Sequence, residues 1–205
     1  MELTTSQKDA LTELINIGYG RAAGALSELT GYRVTLEVPR ITMHRIEQIT
    51  PLLAHLIEGE VASVNQIFSG PIAGNALLML DEHAAAMLSR LLSDDDSMGN
   101  SLDANGREII TEVGNILLNA CLGVFGNLLR VQVTFAVPRL EVNSAGRVLE
   151  SIAVGGEELR YGLMIHTRFH LRASNVTGYM IIILGITSLD RMLRELEGWE
   201  MRQTT

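Results

Sequence analysis

Residues Asp9 to Pro39 read DALTELINIGYGRAAGALSELTGYRVTLEVP, and residues Glu108 to Pro138 read EIITEVGNILLNACLGVFGNLLRVQVTFAVP. A shift of 99 positions lays one over the other, pairing Glu13 with Glu112, Asn16 with Asn115, Ile17 with Ile116 and Gly24 with Gly123. The same shift pairs Val34 with Val133, Val38 with Val137, Pro39 with Pro138 and Arg40 with Arg139. Further along the offset grows to 104, matching Gly74–Leu80 to Gly178–Leu184. An internal repeat of this kind decides the architecture before any single element does.

Within each copy the apolar period first changes and then alternates. Leu11, Leu14, Gly18, Ala22, Ala25 and Leu29 recur at three- and four-residue spacing, which predicts a helix from Thr5 to about Thr30. Ser6 with Asp9 suggests its N-terminal cap, and Gly31 its stop. The alternation from Arg33 to Val38 predicts a strand ended by Pro39. Val61–Phe68 and Asn75–Leu80 flank a Gly- and Pro-containing turn and predict a hairpin, and a helix over 82–92 follows. The order then repeats: a helix over 102–129 with Ile110, Val113, Leu117, Cys121, Val124 and Leu128 as its apolar row, a strand over 131–137, a hairpin over 159–172 and 177–184, and a helix over 188–199. The expectation is an α/β (α+β) fold, one domain of two pseudo-two-fold halves, 5–92 and 102–199, sharing one sheet. Residues 93–101, polar and acidic, read as a solvated linker between them.

The chain has 205 residues, with 16 Lys and Arg against 24 Asp and Glu, a net charge of −8. That balance argues against a nucleic-acid partner, which needs a basic stripe to neutralise phosphates. A single cysteine, Cys121, excludes an intramolecular disulfide framework and suits a reducing compartment. The N-terminal residues MELTTSQKDA carry no basic and apolar leader pattern. The longest apolar run, 180–186, falls short of the roughly 20 residues needed to cross a bilayer. A cytoplasmic protein without a membrane partner is expected.

The chemistry-bearing residues lie opposite the apolar rows. Asp9, Glu13, Asn16 and Gly20 share the polar side of the first helix, and Glu108, Glu112, Asn115 and Asn119 that of the second. One acid and one amide a helical turn apart on a solvent face are ordinary. Their recurrence at the same wheel angle, with 22 residues between the Asn and a proline in both copies, is not. Asn is a middling helix former, so an exposed interior Asn chosen twice breaks local consistency at matching places, where function is expected. An amide donates and accepts hydrogen bonds without shuttling protons, whereas a carboxylate can accept a proton or pair with a lysine. On a convex helix face such a pair suggests a site completed by another protein.

The pattern Asp9-x3-Glu13-x2-Asn16-x22-Pro39, its second copy with Glu108, Glu112, Asn115 and Pro138, and the run Asn16–Ala23 resemble the signature of the CheC family of chemotaxis phosphatases. Two copies in one chain resemble CheC more than the shorter, single-motif CheX relatives. The resemblance implies hydrolysis of the aspartyl phosphate on a phosphorylated CheY-type response regulator. It implies motif helices flanking an antiparallel sheet, with the helix laid against the receiver's phosphorylated aspartate. Glu13 and Glu112 would then pair with the receiver's lysine, and Asn16 and Asn115 would orient the attacking water. The Mg²⁺ belongs to the receiver, and no metal or cofactor is expected on this chain. The second copy departs from the first at two places. Glu108 is longer than Asp9, and Asn119 replaces Gly20, which leaves less room for close approach. Both sites are expected to be competent, the first being the clearer.

A binding module is the alternative reading, because the middle domains of flagellar motor switch proteins resemble this fold and serve assembly. Their usual N-terminal regulator-binding peptide and C-terminal domain are not seen here, which favours the phosphatase. The resemblance also implies the receptor deamidase CheD as a candidate partner, with the last helix as a candidate surface. The internal duplication suggests a monomer. Gly18-x-Gly20-x3-Gly24 approaches a dinucleotide fingerprint but has the wrong spacing and no preceding strand. His166 and His170 would share a strand face but lack partners for a metal site, and the Met residues and Cys121 read as core.

Overall fold

Both long amphipathic segments fold as helices of 26 residues, α1 (Thr5–Thr30) and α4 (Ala104–Leu129), in the computed structural model, which describes residues 3–57, 59–93, 102–153, 159–171 and 173–203. The cap of α1 is Thr4 rather than the Ser6–Asp9 pair. Gln7 N–H donates to Thr4 Oγ1 at 3.1 Å and Thr4 N–H donates back to Gln7 Oε1 at 3.0 Å, a reciprocal capping box. Asp103 caps α4 by accepting from Gly106 N–H at 2.7 Å. The helices end one shift apart, α1 at Gly31 with φ 72° and α4 at Arg130 with φ 51°, both left-handed.

The first half continues with β1 (Val34–Leu36), β2 (Arg40–Arg45), α2 (Ile46–Leu56), β3 (Glu60–Ser69), β4 (Gly74–Asp81) and α3 (Glu82–Ser93). After α4 the second half runs β5 (Thr134–Phe135), β6 (Arg139–Ser144), α5 (Ala145–Ala153), β7 (Leu159–Leu171), β8 (Ser174–Gly185) and α6 (Ile186–Gln203). Each half therefore carries a second strand and a short helix, β2–α2 and β6–α5, beyond the predicted set. The expected linker lies outside the described residues except for Ser93, the last residue of α3.

All strands join one antiparallel sheet in the order β1-β7-β8-β4-β3-β5, with β2 following β1 along β7 and β6 following β5 along β3. The centre is the seam between β4 and β8, from Gly74↔Leu184 to Met79↔Tyr179. Outside it the halves are interlaced. The first half's β1 and β2 pair with the second half's β7, as in Val34↔Leu171 and Arg40↔His166. The second half's β5 and β6 pair with the first half's β3, as in Phe68↔Phe135 and Asn65↔Arg139.

Alternation on the strands supplies two cores. Val64, Phe68, Leu78, Ile165, Phe169 and Ile182 face α1 and α4, with α3 beside α4 and α6 beside α1. Leu77, Met79, Ile181 and Ile183 face the other way, under α2 and α5, where Ile49, Leu53 and Leu149 bury against them. Leu11, Leu14, Gly18 and Ala22 of α1 are buried as predicted, but Ala25 is exposed and Leu29 is 64% exposed, while Leu26 is buried. The last turns lean over β1, to which Ser27 is tied by Val34 N–H donating to its Oγ at 2.9 Å. Among the described residues α4 alone has the length and composition of a bilayer-crossing helix, and 56% of that window is buried within this fold.

Candidate functional site

The buried side of each long helix fixes what its other side presents. Leu11, Leu14 and Gly18 turn inward on α1, so Asp9 and Glu13 stand exposed and Asn16 half-buried. Val113, Leu117 and Cys121 turn inward on α4, so Glu108 and Glu112 stand exposed and Asn115 half-buried. The two helices meet where a Cβ on Gly18 would come within 2.9 Å of the Cys121 Cα, a close approach that only glycine permits. That contact accounts for Gly18 without a nucleotide. Burial pushes the Cys121 thiol well above its usual range, which suits an inert core residue.

The two acid–amide pairs differ in their internal bonding. On α4, Asn115 Nδ2 donates to Glu112 Oε2 at 3.3 Å, and Asn119 Nδ2 donates to Asn115 Oδ1 at 2.7 Å. On α1, Gly20 occupies the place of Asn119, and no hydrogen bond joins Glu13 to Asn16 or engages the Asn16 amide among the described residues.

The motif prolines also sit differently. Pro138 and Leu140 are half-buried and line an open cleft of about 380 Å³ with Arg107, Glu108, Thr111 and Glu112. Their counterparts Pro39 and Ile41 are buried. The valine before each proline is exposed, Val38 at 68% and Val137 at 83%. A cation precedes each pair by the same distance, Lys8 and Arg107, and one turn on a threonine folds back on its own helix. Thr12 Oγ1 donates to Lys8 O at 2.8 Å and Thr111 Oγ1 to Arg107 O at 2.7 Å. The 99-residue shift pairs these positions too, so the repeat itself could have drawn attention to them.

His166 and His170 share a face of β7, as the strand period requires. His170 Nε2 lies 2.9 Å from Glu37 Oε1, Arg168 Nη1 donates to both Glu37 oxygens, and His166 meets the Tyr179 ring edge-on. No group of three His, Cys, Asp or Glu side chains among the described residues could hold a metal ion.

The profile of the CheC-like family matches residues 7–43, which span the whole first copy from Asp9 to Pro39. A Halobacterium salinarum protein named CheC1 is 23% identical over 167 residues, 81% of this chain and 84% of that one. The CheY-P phosphatase CheC of Bacillus subtilis is 25% identical over 146 residues, 70% of this chain and 69% of that one. The first copy of the motif is thus similar to the CheC-like family. The fold of the chain is also that of Thermotoga maritima FliY, whose crystal structure superimposes with a TM-score of 0.76 at 17% identity, covering 97% of this chain and 99% of that one. The duplicated acid–amide motif thus falls on two exposed helix faces of a single sheet-centred body, and the family match covers the first of them.

Proposed function

We propose that this protein hydrolyses the aspartyl phosphate of a CheY-type response regulator in chemotaxis signalling, in the cytoplasm and as a monomer. The observation that carries the reading is the duplicated acid–amide pair on the exposed faces of α1 and α4, Glu13 with Asn16 and Glu112 with Asn115. The name of the Bacillus subtilis relative, a CheY-P phosphatase, supports it.

Phosphoryl transfer asks little covalent chemistry of a protein and much positioning. A water oxygen bonds to phosphorus as the bond to the aspartyl oxygen breaks, leaving the receiver's carboxylate and inorganic phosphate. Asn16 or Asn115 would hold that water in line, through an amide that both donates and accepts. Glu13 or Glu112 would pair with the receiver's lysine and so register the helix on the partner. Asp9, Glu108 and the loops at Pro39 and Pro138 would border the contact. The Mg²⁺ is the receiver's own and supplies neutralisation of the phosphoryl oxygens. CheD is a further partner on this reading, with α6 as its surface.

A second reading, an assembly module like the middle domains of flagellar switch proteins, draws on the fold, which FliY shares. Decay of a phosphorylated CheY-type receiver separates the two. The wild-type protein should accelerate it, and the Asn16→Ala, Asn115→Ala double variant should lose about a hundredfold of that acceleration. Folded wild-type protein without effect across several receivers would leave the assembly reading.

A further inference from the structure

We infer that Asn119 is a positioning residue for Asn115, making the α4 site the better prepared of the two; the inference rests on the phosphatase reading. The geometry assigns every atom of the relay. An ionised Glu112 carboxylate only accepts, so Asn115 must turn its N–H toward it, at 3.3 Å. The Asn115 oxygen then faces Asn119, which must present its own N–H, at 2.7 Å. Flipping Asn115 would set oxygen against carboxylate and N–H against N–H, so the acid fixes both amides.

Asn119 holds this pose at a cost. Its Oδ1 is buried and has no hydrogen-bond partner among the described residues. A buried carbonyl left unpaired is destabilising, and a side chain kept in such a state is expected where it serves a site. Its only side-chain hydrogen bond among the described residues is the one to Asn115. Asn115 therefore keeps one N–H and one oxygen lone pair aimed in fixed directions for a water.

The α1 site lacks this support. Gly20 replaces Asn119, and the terminal torsion of an unbonded asparagine is broad. A Cβ built on Gly20 meets nothing within 4 Å, so the relay can be installed there without a clash.

The test uses full-length protein with one site silenced at a time. In an Asn16→Ala parent, Asn119→Ala should lower kcat about tenfold with KM for the phosphorylated receiver unchanged, since misplacing a positioned group costs rate rather than affinity. Asn119→Asp, the same shape without the donor, should lower it further, because a carboxylate then faces the Asn115 oxygen and no orientation of that amide satisfies both neighbours. In an Asn115→Ala parent, Gly20→Asn should raise kcat. Alanine is the better helix former, so a loss at Asn119→Ala does not reflect a weakened helix. Rates within twofold of the parent for both Asn119 variants, or a change confined to KM, would overturn the assignment. A readout without the partner is the NMR order parameter of the side-chain amides. Asn115 should be more ordered than Asn16, and should lose that order in Asn119→Ala; equal mobility in the wild type overturns the relay. Wild-type protein without phosphatase activity but with an ordered Asn115 would sink the phosphatase reading while leaving the relay standing, whereas a silent Asn16→Ala parent beside an active wild type would overturn the better preparation of the α4 site.

Discussion

Tyr19 and Thr167 meet inside the main core, with Tyr19 Oη 2.6 Å from Thr167 Oγ1. Thr167 Oγ1 also donates to Ile165 O at 3.3 Å, which leaves the phenol as donor to the threonine. Burial pushes the Tyr19 hydroxyl far above its usual range, so it stays protonated and able to donate. Thr167→Val should cost about 1–3 kcal/mol, because it strands a buried hydroxyl. Tyr19→Phe should cost only about 1 kcal/mol, and the double variant less than the sum of both. Urea denaturation of the three variants checks the cycle, and additive losses would contradict the pairing. Nothing in the sequence pairs these residues, which stand 148 positions apart. The acids and amides of the motif could be read because repetition singles out Glu13, Asn16, Glu112 and Asn115. The bond from Asn119 to Asn115 could not, since a departure from the repeat looks the same whether it crowds a site or supports it.

Helix ends carry the clearest consequence at the element scale. Gly31 closes α1 in the left-handed region at no steric cost, whereas Arg130 adopts φ 51° at the equivalent end of α4 with a side chain that disfavours it. Arg130→Gly should therefore raise stability by about 0.5–1 kcal/mol, read as a higher urea midpoint. A fall would mean that the arginine side chain contributes more than the backbone strain it imposes. The elements missed by periodicity share a physical cause. In α2, Pro51 interrupts eleven residues, and α5 has nine, too few turns for a face to declare itself. Strand β1 already ends at Leu36, three residues before Pro39, and the chain resumes at Arg40 as β2 on the same neighbour, β7. Strand β2 shows no clean alternation, because only Ile41 is buried along it.

Two groups at the β1–β7 edge shape how the whole molecule answers to pH. Burial, with the charges of Arg168 and Arg40, holds His166 below its ordinary 6.5. The unfolded chain then takes up that proton first as pH falls through 6.5, so stability declines there. Burial raises the Glu37 carboxyl, but hydrogen bonds from Arg168 and His170 and their charges outweigh it and leave it below its ordinary 4.5. Its contribution is present above that value and is lost as pH falls through the lowered one. The urea midpoint should thus drop from about pH 7 to about pH 4, and His166→Gln should flatten the upper part of that decline. An unchanged profile in His166→Gln would show that other groups set it. The duplication is open to sequence reading, but the exchange of strands between halves is not, because register across a sheet is fixed by partners far along the chain.

That exchange also orders events on the ribosome. Val34 waits for Leu171 and Arg40 for His166, so β1 and β2 emerge long before the strand that receives them. Until β5, β6 and β8 are made, the β3–β4 hairpin stands with both edges unpaired. Non-local pairing of this kind folds slowly and leaves edges open to the wrong neighbour. The nascent first half is therefore a natural client for a chaperone, and its sheet closes only once the last hairpin has been synthesised.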